Sequence, residues 1–156
     1  GDLTVARSCY SGASSSTHGY SAGGTSGLTT IDKFAFATDS DATDVGDCDV
    51  NSVVSAGTSS LTHGYITGGG APNVDSIRKY SFATGTQNSV DGADLSAIRH
   101  AHTGCSSETF GYSAAGYNVG ALNVIEKYSV STDSDATDVG DLVGTKWYAP
   151  PVGSQV

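Results

Sequence analysis

Three kinds of side chain in this sequence have the chemistry and the spacing to build a site. Carboxylates come first: Asp39, Asp41 and Asp44 alternate along the chain, and Asp133, Asp135 and Asp138 repeat the arrangement. Alternating carboxylates suit calcium, but a calcium loop also needs a turn glycine and a further ligand at set positions. The matching place in mid-chain reads Gly85-Thr86-Gln87-Asn88-Ser89, with no carboxylate, so a solvated hairpin of turn-forming residues is the expectation. Imidazoles come second. His18 and His63 stand at equivalent places, but Phe110 takes the third such place, which fits a turn residue better than a catalyst. His100 and His102, two apart beside Arg99, hold a metal only if a third ligand arrives from elsewhere; otherwise they line a polar channel. Acid and base pairs come third: Asp2 with Arg7 and Asp94 with Arg99 recur in register. Recurrence argues for pairing across a connecting turn and against a catalytic pair. With no nucleophile elbow, paired-carboxylate signature or phosphate loop, the sequence predicts a non-enzyme with no cofactor and no metal.

The elements that carry these residues follow an internal repeat. Asp2, Asp47, Asp94 and Asp141 open comparable segments at spacings of 45, 47 and 47 residues. Each of the first three is followed ten residues later by a glycine, Gly12, Gly57 or Gly104. A strand of the type Gly-Tyr-small comes next, at 19–24, 64–69 and 111–116, and then a strand starting at Ile31, Ile77 or Ile125. In that strand Ile31, Lys33 and Ala35 oppose Asp32, Phe34 and Phe36, the alternation of a sheet packed on both sides. The strands around 8–14, 53–59 and 100–106 are dense in Gly, Ala, Ser and Cys, as suits a crowded centre. Gly19 and Gly64 are expected to supply the positive φ of a tight turn. Residues 1–45, 46–92 and 93–139 are thus three copies of one four-stranded unit, and 140–156 starts a fourth or supplies an exchanged terminal strand. A unit of this kind buries its faces only against neighbours.

Composition agrees. The chain has 156 residues, 21 of them Gly and none Met, and its residue usage favours short strands over helices. Its formal charge of -9 repels phosphate backbones and anionic headgroups, which excludes nucleic acid as the expected partner. No apolar run approaches the ~20 residues of a membrane-spanning helix, so no membrane insertion is expected. Cys9, Cys48 and Cys105 have neither disulfide nor zinc spacing and read as small, semi-buried thiols.

These residues resemble the kelch repeat. Gly23-Gly24 and Gly68-Gly69 stand where kelch units close their second strand with a Gly doublet, and Ala115-Gly116 is a reduced version. Phe34, Tyr80 and Tyr128 stand at its aromatic position; Arg7 and Arg99 stand at its Arg, which Ser52 lacks and Lys146 approximates. The phrases Ala-Thr-Asp-Ser-Asp-Ala-Thr-Asp-Val-Gly-Asp and Ser-Thr-His-Gly-Tyr are similar to Gly/Ser/Thr-rich kelch-like repeats of marine bacteriophage tail and fibre proteins. The resemblance implies an all-β, kelch-like β-propeller of four-stranded antiparallel blades, here three plus the inner strand of a fourth. It implies structural roles for Gly23, Gly24, Gly68, Gly69, Gly116, Arg7 and Arg99, and a virion or extracellular setting.

Repeat-breaking residues are the candidates for binding. They fall in the segments 25–30, 70–76 and 117–123, where Asn73, Asp75, Tyr117, Asn118 and Asn123 offer the aromatic and amide groups that recognise sugars or polar protein surfaces; they equally fit plain solvated loops. The expected function is a non-catalytic interaction module of a phage virion, recognising a host-surface glycan. The alternatives are a module that docks other virion proteins and a secreted bacterial lectin or adhesin. Ring closure by self-association or by further blades is expected with either.

Overall fold

The computed structural model describes residues 1–70, 72–83 and 87–148. The fold is all-β, and no helix occurs among the described residues. The first sheet runs β1 (Ser11–Ser14), β2 (His18–Ala22), β3 (Thr30–Ala35), β4 (Thr43–Asp47), and the second β5 (Ala56–Ser59), β6 (His63–Gly70), β7 (Asn73–Ser81), β8 (Val90–Asp94). The third runs β9 (Thr103–Ser106), β10 (Phe110–Ala114), β11 (Leu122–Ser129), β12 (Thr137–Lys146). Each is a four-stranded antiparallel meander in chain order.

The sheets stack face to face, and two hydrophobic clusters fill the gaps. Tyr20, Ile31 and Cys48 meet Ile66 and Tyr80 between the first and second sheets. Tyr65, Ile77 and Leu95 meet Tyr128 and Ala136 between the second and third. The short strands β1, β5 and β9 lie side by side, and their glycines allow it: a Cβ on Gly57 would sit 2.0 Å from the Gly12 carbonyl oxygen, and one on Gly104 2.6 Å from that of Gly57.

Gly19 and Gly64 do not make a turn. They pair within strands against Phe34 and Tyr80, as Gly111 pairs against Tyr128. Each aromatic ring lies over its glycine so closely that a Cβ would stand 2.3 Å from a ring carbon. The glycine is there to make room for a ring, and positive φ plays no part.

The phase of the repeat also differs from expectation. Asp47 and Asp94 are the last residues of β4 and β8, so the recurring Asp closes an outer strand and does not open the next unit. Residues 140–146 accordingly belong to the third sheet, because Val124 pairs with Asp141 and Leu122 with Lys146. The unit does start again just beyond: Cys9, Val54, Ala101 and Tyr148 share a left-handed backbone, with φ of 57°, 55°, 55° and 53°. The last three each donate N–H to the carbonyl of the one before, Val54 to Cys9 at 2.8 Å, Ala101 to Val54 at 2.9 Å and Tyr148 to Ala101 at 2.9 Å. The remainder of the predicted fourth unit, 149–156, lies outside the described residues, as do Gly85 and Thr86.

The alternating carboxylates, with Asn88 in their place in the second sheet, hold the segment that enters each unit. Asp41, Asn88 and Asp135 each accept, through Oδ1, the N–H of Asp2, Asp47 and Asp94 at 2.9, 2.9 and 3.1 Å. Asp44 and Asp138 accept the N–H of Gly46 and Gly140 two residues on, beside the register breaks of β4 and β12. Asp133 takes Lys79 Nζ at 2.5 Å.

Candidate functional site

At the end of the stack where β2–β3, β6–β7 and β10–β11 connect, the segment entering each unit runs beside the connection of the preceding strand pair. Gly24, Gly69 and Gly116 donate N–H to the carbonyls of Ser52, Arg99 and Lys146 at 3.1, 2.9 and 2.9 Å. Thr25, Gly70 and Tyr117 donate to those of Ser8, Val53 and His100 at 3.0, 2.7 and 2.8 Å. The backbone is the same three times, and the side chains are not. Ser8 and Thr25 join hydroxyls at 3.0 Å; Val53 and Gly70 offer an isopropyl group and nothing; His100 and Tyr117 bring two rings with centroids 5.6 Å apart. Trp147, at the place of His100 one unit on, continues the row 5.6 Å from Tyr117, and Tyr148 follows 5.0 Å from Trp147. Trp147 is 56% and Tyr148 64% exposed, while His100 and Tyr117 are half-buried. The result is an aromatic strip one side chain wide at the rim of the third sheet.

The strip gathers some of the predicted binding residues and leaves others aside. Tyr117 is its centre and Asn118 adjoins it, in a turn closed by the Asn118 N–H on the Gly120 carbonyl at 3.1 Å. Asn73 is close by, since it pairs with Gly70, whose α-carbon faces the His100 ring. Asn73 and Asp75 are strand residues of β7 and not loop residues, because β6 and β7 form a hairpin that keeps pairing out to Gly70. Asn123 likewise lies in β11, between the pairs that Leu122 and Val124 make with β12. Trp147 and Tyr148 escaped the sequence reading as partners of Tyr117. The signal was available: Trp147 stands 47 residues after His100, which stands 47 after Val53.

A buried charge set lies beneath. Arg99 Nη2 meets Glu126 Oε1 at 2.8 Å with both side chains at most 1% exposed, and Ser96 donates to the same carboxylate oxygen through its hydroxyl and N–H. Arg7 meets Asp32 at 2.8 Å, both fully buried, with Thr4 on that carboxylate and the Thr30 carbonyl on Arg7 Nη1 at 2.8 Å. The arginines therefore pair with the third-strand acid of their own unit and not with Asp2 or Asp94, whose N–H groups are held by Asp41 and Asp135. In the second unit Arg78 stands at the acid's place, where it meets Asp49 at 3.1 Å and the Ser52 hydroxyl at 3.1 Å. Burial lowers the Arg99 pKa against the field of Glu126, which raises it.

The glycines and cysteines fall into place around this frame. Gly23, Gly24, Gly68, Gly69 and Gly116 all have positive φ, and so does Ala115, at 65°, in the place of Gly23 and Gly68. Cys48 is buried, and its thiol is pushed up to about 12, chiefly by desolvation; Cys9 is exposed and not semi-buried, because the left-handed turn it occupies lies on the surface.

His100 and His102 do not share an environment. His102 is buried, its Nε2 is 2.9 Å from Thr67 Oγ1, and desolvation, aided by Arg99 and His100, pulls its pKa down to about 3. His100 turns to the strip. No group of three His, Cys, Asp or Glu that could hold a metal occurs among the described residues. What the arrangement can do chemically is present flat, partly desolvated rings to a ligand face.

No protein-family model matches the chain, and no curated protein matches it. Among solved structures it is similar to that of YjhT, with a TM-score of 0.77 at 13% sequence identity over 90% of this chain. The chain spans about half of that structure, 52% of its length. At this identity the likeness concerns the fold alone.

Proposed function

We propose that this chain is a β-propeller segment acting as a non-catalytic interaction module, of the kind carried by a phage tail, fibre or capsid appendage, and that its aromatic strip binds a surface glycan. The observation that carries the reading is the row His100, Tyr117, Trp147 and Tyr148: earlier units hold Ser8 and Val53 at the place of His100 and Trp147, Thr25 and Gly70 at that of Tyr117, and Cys9, Val54 and Ala101 at that of Tyr148. A repeat keeps what folding needs, and the residues that depart from it at a fixed backbone are free to serve recognition. Rings with an apolar face and a polar tip, beside the amides of Asn118 and Asn73, suit the alternating C–H and hydroxyl surface of a sugar. The charge of -9 favours neutral over acidic glycans. The propeller reading is supported by three four-stranded sheets stacked about adjacent short strands and by the likeness to YjhT; the virion setting rests on the kelch-like phrases.

The test is a glycan array probed with the whole chain. Binding to neutral glycans is expected, lost in Tyr117→Ala and Trp147→Ala and kept in Thr25→Ala. Turnover of a polysaccharide, or binding that ignores both aromatic changes, overturns the reading.

A further inference from the structure

Both gaps between sheets are built alike. An aromatic ring from the third strand of one sheet, lying over its glycine, enters a hollow lined by a tyrosine on the second strand of the sheet before. Tyr80 packs on Tyr20 at 5.8 Å and Tyr128 on Tyr65 at 5.9 Å, each ring only 2% exposed. The Tyr128 hydroxyl reaches Thr58 Oγ1 at 2.5 Å. The short strands add a ladder: Ser14 N–H to Ser59 Oγ at 2.8 Å and Ser59 N–H to Ser106 Oγ at 3.2 Å.

The two ends of the stack carry the unmatched halves of this interface. Phe34, the counterpart of Tyr80 and Tyr128, is 37% exposed, and Phe36 beside it 56%. Together with Tyr10, Gly12 and Ala13 they line an open cavity of about 790 Å³. On the far side Tyr112, the counterpart of Tyr20 and Tyr65, is half-buried, Val139 is 48% exposed, and neither belongs to the two clusters that fill the gaps between sheets. We infer that the first sheet of one copy receives the third sheet of a second copy, Phe34 seating against Tyr112 as Tyr80 seats against Tyr20. The ladder then continues from Ser106 N–H of one copy to Ser14 Oγ of the next.

One segment has to give way. Residues 1–9 lie on the first sheet as 46–54 lie on the second and 93–101 on the third, while 140–148 leave the third sheet as 46–54 leave the first; in the docked pair both would claim one place, and both begin Gly-Asp-Leu. Arg7 is anchored on Asp32 with both side chains fully buried, whereas residues 143–148 are exposed throughout. The incoming copy therefore releases 140–148, and Leu3 of the receiving copy fills the place of Leu142. Trp147, the only tryptophan, leaves Tyr117 in the process. Docking and the intact strip therefore compete for 140–148; mass measures the first and ligand the second, so the failure of one is told apart from the failure of the other.

The contact is head to tail, which gives a decisive test by sedimentation. The unaltered chain is expected to exceed the monomer mass, and Phe34→Glu and Tyr112→Glu each to remain monomeric. Mixing the two variants is expected to give a 1:1 pair, since each keeps the face the other has lost, with a shift in Trp147 emission. Phe36→Glu, at a more exposed site, repeats the first arm should Phe34→Glu fold poorly. A monomeric parent chain, variants that associate as the parent does, or a mixture that stays monomeric would overturn the docking. Association without any change in Trp147 emission would overturn the release of 140–148.

Discussion

The first and third sheets bury an ion pair with the arginine on the connecting segment and the acid on the third strand; the second sheet has one the other way round, with Arg78 buried and Asp49 31% exposed. Arg7 with Asp32 and Arg99 with Glu126 represent the first arrangement. In the second sheet, Ser52 replaces the connecting arginine, Arg78 replaces the acid, and Asp49 replaces the hydroxyl residues Thr4 and Ser96. Three positions changed together and the set stayed complete. The fold therefore requires one cation, one carboxylate and one hydroxyl at this spot, in any assignment that leaves no buried charge alone. The strip above teaches the opposite lesson, since Ser8, Val53, His100 and Trp147 occupy one backbone position with no property in common.

The sharpest way to break the comparison is to change one member of the inverted set. Arg78→Asp would place two carboxylates together with no cation; because Asp49 keeps 31% of its side chain in solvent, the loss is expected to fall below the about 3–5 kcal/mol of a fully buried pair. Asp49→Thr, Ser52→Arg and Arg78→Asp made together convert the second sheet to the pattern of the first. Urea unfolding should place the triple variant within about 1 kcal/mol of the parent, because the set is complete again. A triple variant as unstable as Arg78→Asp would mean that the inversion is tied to other features of the second sheet.

This set also shows how much could be read from the residues alone. The repeat and its strands were legible because Gly, aromatic and Ile positions recur at 45 to 47 residues, and side-chain size at those places is dictated by close sheet stacking. The partner of Arg99 was not, because Asp94 is five residues away in the chain while Glu126 meets it only after two strand reversals. The equivalence of Asn88 with Asp41 and Asp135 was hidden by chemistry: a carboxylate and an amide look unlike as metal ligands, but each offers an Oδ1 to a backbone N–H. The left-handed positions Cys9, Val54, Ala101 and Tyr148 carry no glycine to announce them, since an N–H ladder between units holds them in place. Of the binding candidates, Tyr117 was visible as a departure from the repeat; its neighbour Trp147 was hidden by the mistaken phase of the last segment.

His102 is a second way to sharpen the contrast, for it is a titratable group in the frame with no charged partner. Its folded pKa of about 3 lies below the ordinary 6.5, so below pH 6.5 the unfolded chain takes up a proton that the folded chain refuses. The stability is whole above that pH and falls as the solution becomes more acid, by about 2 kcal/mol between pH 7 and pH 5. His102→Gln, whose amide can meet Thr67 Oγ1 without titrating, should remove that slope. Parallel urea titrations of the two proteins at both pH values check it, in a range above the ordinary carboxylates.

The smallest effect is expected at Ala115. Gly68, its counterpart, has φ of 58°, and a Cβ there would lie 2.5 Å from the Arg99 carbonyl oxygen, so the second unit has no choice of residue. The third unit carries a methyl group at φ of 65°, fully buried. Ala115→Gly relieves the left-handed cost of about 1 kcal/mol. It also gives up about 0.8 kcal/mol of methyl burial and loosens the unfolded chain by about 0.4–1 kcal/mol. These terms oppose, and thermal unfolding should place the variant within about 1 kcal/mol of the parent, on the less stable side. A clear gain in stability would mean that the methyl is strained by its neighbours as well as by its backbone, and that the third unit tolerates alanine no better than the second would.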